Sequence, residues 1–144
     1  MENFPCPRTW EAAGEILRMG LPETLEFAAI AGAVGEGAAI EFRAFISMVR
    51  SNMPTPDSII LDPDTAAIPD RPDLLWAVCS ALANKASETN CGRVFRYAER
   101  LHGAGKSEFA TLMVKDINRL VPEVRDTPAW AMLVVSELGK SFIK

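Results

Sequence analysis

The sequence predicts an all-α domain, an irregular bundle of about seven short helices with a proline-rich strap laid across it. Three observations predict this. Apolar residues recur at spacings of three and four along most of the chain, while strand-like alternation is nearly absent. Helix-opening residues, several of them prolines, precede those runs. Five of the ten prolines crowd into one stretch between them. A chain of 144 residues, 49% hydrophobic and 24% charged, has the size and composition of one globular domain over 1–144, and wholesale disorder is excluded.

The first helix opens at Cys6-Pro7-Arg8-Thr9, where the missing N–H of a proline at the first helical position costs nothing. Trp10, Ala13, Ile16 and Leu17 make its apolar face, and Gly20 closes it. A second helix starts at Pro22 with Glu23 near its positive end, and Leu25, Ala28, Ala29 and Gly32 follow the helical spacing. Nine of the twelve residues from 28 to 39 are Gly or Ala, which predicts a break near Gly32 to Gly35 and close helix packing. The third helix runs to about Val49 with Phe42, Phe45, Ile46 and Val49 inward.

Residues 50 to 72 carry Pro54, Pro56, Pro63, Pro69 and Pro72, with Asp57, Asp62, Asp64 and Asp70 among them. Proline removes donors and restricts its predecessor, so this reads as an extended strap anchored by Ile59-Ile60-Leu61. Helices then resume: about Asp73 to Lys85, with Leu75, Val78, Cys79 and Leu82 inward; about Thr89 to Leu101, with Val94, Tyr97, Ala98 and Leu101 inward. The next runs from Ser107, its expected cap, to Leu120, using Phe109, Met113, Ile117 and Leu120. The last opens at Thr127-Pro128 and carries Trp130, Leu133, Val134 and Leu138 on more than one side.

Fifteen basic against nineteen acidic residues give a net charge of -4, which argues against a nucleic-acid binder or a polybasic membrane protein. The longest apolar stretch, residues 27–34, is far short of the roughly 20 residues that span a bilayer. The N-terminus has no basic start and no apolar core of a secretory leader. Cys6, Cys79 and Cys91, an odd number without paired spacing, match neither a disulfide framework nor a zinc site, so the sequence predicts a cytoplasmic protein without a metal.

His102-Gly103-Ala104-Gly105-Lys106-Ser107 invites a phosphate-loop reading, but Arg100 stands where that pattern needs glycine and no strand precedes it. A helix end and a turn explain it better. Asp62-Pro63-Asp64-Thr65 reads as an Asx turn rather than a magnesium pair. Arg93, Arg96 and Arg100, at i, i+3 and i+7, form a basic stripe that is a solvated face or, if functional, an interface with an acidic partner or neighbouring subunit. Arg8 is of another kind. A cation in the first turn is disfavoured by about 0.3–1 kcal/mol, and it makes sense there if an anion binds, since helix N-termini take phosphates.

Phe4-Pro5-Cys6-Pro7-Arg8-Thr9-Trp10-Glu11 resembles the sensor-2 segment of MoxR-like AAA+ ATPases, S-P-R-[ST]-W-E. The run from Ala31 through Ala39, followed by Glu41-Phe42, is similar to an A-G-x-V-G-E-x-A-A-x-E-F block of some members, as is Asp62-Pro63-Asp64-Thr65-Ala66. Cys6 stands where the family has serine. The resemblance implies a C-terminal helical lid closing over ATP and Mg held by an upstream α/β core, with Arg8 as the sensor-2 arginine on the β/γ-phosphates. It implies a hexameric, chaperone-like remodelling ring, neighbouring subunits as partners, and a von Willebrand factor A-domain protein beside it. The chain has neither phosphate loop nor metal-binding acidic motif, so it is expected to be part of a larger ATPase, with no catalytic residue of its own and no cofactor bound alone. Two rivals stand beside this: a free-standing helical interaction module, and an enzyme built on Cys91 and His102.

Overall fold

A computed structural model describes residues 4–142, with the backbone alone for Ser51, Asn52 and Phe142. Residues 1–3, part of the N-terminus read as lacking a leader, lie outside the described residues. The described residues form nine α-helices and one 3-10 helix, with no strand among them. None of these helices is long and apolar enough to cross a membrane. Where the sequence suggests one unit over 1–144, the contacts resolve two, Met1–Asn52 and Met53–Lys144, each with its own core.

The first unit holds α1 (Pro7–Arg18), α2 (Glu23–Val34) and α3 (Glu36–Asn52). Its core is Ala13, Ile30, Val34 and Ala39, with Trp10 of α1 edge-on to Phe42 of α3 at 5.1 Å. Helix α2 runs through Gly32 and ends at Val34, and Gly35 makes the corner at φ 92°, a conformation that favours glycine. The expected inward face of α2 is wrong by about a quarter turn. Leu25 is 58% exposed and Ala28 and Gly32 face out, whereas Glu26, Ile30 and Val34 are buried. The helix is apolar on most sides, so periodicity fixed its existence without fixing its face. Nor do the glycines mediate close packing: a Cβ on Gly32 or Gly37 would meet nothing within 4 Å.

The second unit holds α4 (Pro56–Leu61), α5 (Pro72–Lys85), α6 (Cys91–Gly103), α7 (Ser107–Leu120), a 3-10 turn (Pro122–Asp126), α8 (Pro128–Val135) and α9 (Glu137–Phe142). Its core gathers Leu75, Leu82, Tyr97, Leu101, Met113, Ile117, Leu133 and Leu138. Part of the predicted strap is therefore helical. Thr55 accepts the Ser58 N–H at 3.1 Å and Pro56 takes the first position, which opens α4 inside the proline-rich stretch. Helical rotation splits the expected anchor: Ile59 is fully buried, while Leu61 is 79% exposed. Residues 62–71 remain as the irregular strap.

The last helix breaks at Ser136. Its hydroxyl donates to the Leu133 carbonyl (2.6 Å) and accepts from the Gly139 N–H (3.2 Å), so it closes α8 and opens α9. Ser107 is not the cap of α7 but its first residue, with its hydroxyl 2.8 Å from His102 Nδ1 across the turn that Gly105 makes at φ 80°. Leu120 faces solvent.

Burial also gives the core a pH dependence. Cys79 is 5% exposed, and desolvation pushes its thiol from the ordinary 9.0 up to about 12. The unfolded chain then loses this proton first, so stability is full below pH 9 and falls as pH rises from there through about 12. Between pH 8 and pH 10.5 the loss through this thiol is expected to reach about 2 kcal/mol in urea unfolding, and Cys79→Ala should remove that share.

Candidate functional site

Helix α1 begins with a compact hydrogen-bonded start. Cys6 is extended (φ −145°) and its N–H donates to Thr9 Oγ1 at 2.8 Å, while the Thr9 hydroxyl lies 2.9 Å from the Phe4 carbonyl and 3.0 Å from that of Cys6. Thr9 thus closes the capping box from its own side, by accepting the Cys6 N–H. Hydrogen bonds from Thr9, its side chain foremost, hold the exposed Cys6 thiol below its ordinary value. Pro7 fills the first helical position and Arg8 follows on the surface, with no ion pair or hydrogen bond to any described residue.

Phe4 and Pro5 also line an open hollow with Val34, Gly35, Glu36, Gly37, Ala38 and Ile40. The start of α1 and the start of α3 therefore border one concavity.

The basic stripe turns inward on its own chain. Arg93 Nη1 donates to the carbonyls of Ile60 (3.1 Å) and Leu61 (2.8 Å), the last residues of α4. Arg96 Nε meets Asp64 Oδ1 at 2.6 Å, and Arg100 Nη1 bridges the carbonyls of Pro63 and Ala66, each at 2.7 Å. Tyr97, on the same face, donates to the Ala67 carbonyl at 2.8 Å. The three arginines, expected as a solvated face or, if functional, an interface, thus also clamp their own chain: Arg93 satisfies carbonyls at the end of α4, Arg96 pairs with a carboxylate of the strap, and Arg100 satisfies two of the strap's backbone acceptors. The strap needs such donors because proline and irregular geometry deny it internal ones. Within it, the Asp62 carboxylate takes the Thr65 N–H and hydroxyl, the Asx turn expected; the hydroxyl chiefly holds its carboxyl below the usual range.

Cys91 and His102 do not meet. They lie at opposite ends of α6, about 16 Å apart along its axis, and Cys91 is buried with its thiol toward the Glu88 carbonyl. Among the described residues no three His, Cys, Asp or Glu side chains cluster as metal ligands.

Sequence reasoning missed one feature. Glu26 is 6% exposed and both its oxygens accept from Arg50, at 3.0 and 3.1 Å. A carboxylate between Leu25 and Phe27, at the edge of the apolar run of α2, was the available signal, since a buried charge implies a partner. No protein-family model, curated protein or solved structure matches the chain.

Proposed function

We propose that the chain is the C-terminal helical lid of a MoxR-like AAA+ ATPase and that Arg8 is its nucleotide-sensing arginine. The observation that carries the reading is the placement of Arg8: exposed, in the first turn of an amphipathic helix, and without a protein partner among the described residues. A guanidinium there adds bidentate donors to a helix end that already favours anions. Joined to a core holding ATP and Mg, it would contact the β/γ-phosphates. Loss of the γ-phosphate would release the lid, and neighbouring subunits of a ring would feel the movement. The resemblance of residues 4–11 to the sensor-2 segment and the all-α architecture support the same reading. On this reading hydrolysis belongs to the core, and the client, the hexameric ring and a von Willebrand factor A-domain partner follow from the family alone.

Hydrogen exchange tests it. With the chain joined to such a core, the amides of residues 8–11 should exchange more slowly with a slowly hydrolysed ATP analogue than with ADP. Equal exchange in the two states would remove the assignment.

A further inference from the structure

The first unit contains a cavity of about 300 Å³ lined by side chains of all three helices: Leu17 of α1, Phe27 and Ile30 of α2, and Ala39, Phe42 and Ile46 of α3. That volume lies at the small end of ligand sites. The register of α3 makes its lining amphipathic. Ala39, Phe42 and Ile46 give the apolar part, and Arg43, Ser47 and Arg50, at i, i+4 and i+7, run along the adjoining strip.

Four charged side chains border the cavity, and their pairing is unequal. The buried Glu26 carboxylate is held bidentately by Arg50, and Glu23 acts on the same guanidinium. Glu26 is thus committed to Arg50, whereas Glu23 acts on that guanidinium only through space, with no ion pair or hydrogen bond between the two. Arg43 has neither a carboxylate nor a hydrogen-bond acceptor among the described residues, and its guanidinium carbon sits 4.3 Å from the centre of the Phe27 ring. Stacking holds the group in place while leaving its N–H edge free, which lowers the ordering cost of binding an anion.

We propose that this cavity binds a small amphiphilic carboxylate. Its aliphatic or aromatic body packs among Phe27, Ile30, Phe42 and Ile46, and its carboxylate meets Arg43, with the Ser47 hydroxyl as a second donor. The site needs neither nucleotide nor core and stands apart from the lid reading.

The test titrates the full chain with decanoate and with decanamide, which has the same tail but no charge, followed by amide NMR spectra and calorimetry. Decanoate should give saturable shifts confined to residues 26–30 and 42–47. Decanamide, and decanoate on Arg43→Gln, should bind about tenfold or more weakly, the loss of one charge-assisted contact. A thermal melt of Arg43→Gln matching the parent assigns the loss to the contact, and the decanamide comparison, made on the unaltered chain, holds even where the variant melts early. Equal affinity for the two ligands, shifts scattered over both units, or no saturable binding of decanoate would each overturn the proposal.

Discussion

Gly139→Ala is expected to destabilise the second unit by about 3 kcal/mol, the upper range for forcing atoms into a packed site. A Cβ on Gly139 would overlap the backbone carbonyls of Leu133 and Val134, the last full turn of α8. Those carbonyls cannot retreat cheaply. Leu133 and Leu138, on either side of the corner, are each 1% exposed in the core, and Ser136 ties the two helices together. Gly103→Ala is the matched control, because a Cβ there meets nothing within 4 Å. It should be neutral or stabilising by up to about 1 kcal/mol, the helix-propensity difference. Urea unfolding of the two variants reads the contrast, and equal stabilities would refute the corner geometry.

Arg50→Ala is expected to cost the first unit about 2 kcal/mol, because it leaves the Glu26 carboxylate buried without a partner. The figure is below that for a fully buried pair, since the Arg50 side chain is 54% exposed while that of Glu26 is 8%. Glu26 sits near the start of α2 and Arg50 near the end of α3, so the pair fastens the open end of the hairpin whose closed end is Gly35. Replacing both residues, Glu26→Leu with Arg50→Ala, should recover most of the loss, because an apolar pair leaves no charge stranded. Hydrogen exchange of the α2 amides measures both. A double variant as unstable as Arg50→Ala would mean that the guanidinium contributes through packing instead.

Helix starts were legible because their causes are local. Pro7 and Pro128 each stand in the first turn of a helix expected there, where fixed φ and an absent donor are advantages, and Thr127 caps α8 through the Trp130 N–H. Pro56 shows the limit. The crowd of prolines around it predicted extended chain, yet one proline with a threonine cap starts a turn of helix as readily as it forbids one. Faces and destinations were less legible. Which side of α2 goes inward depends on α1 and α3, and the stripe of Arg93, Arg96 and Arg100 carries no mark in sequence saying that residues 60–66 will lie against it. Charge spacing located the stripe; its contacts lie some thirty residues away in sequence. Arg8 was legible in the opposite sense. Its oddity is local, a cation where the helix dipole disfavours one, and the structure leaves it exposed.

The central claim is that Arg8 exists to meet a nucleotide's phosphates, and steady-state ATP turnover tests it most directly. A MoxR-like core carrying this chain as its lid should turn over ATP about a hundredfold more slowly with Arg8→Ala, the usual cost of removing one charge-stabilising donor, with helical content and melting unchanged. Turnover equal to that of the unaltered chain, at saturating ATP and with the fold intact, would contradict it.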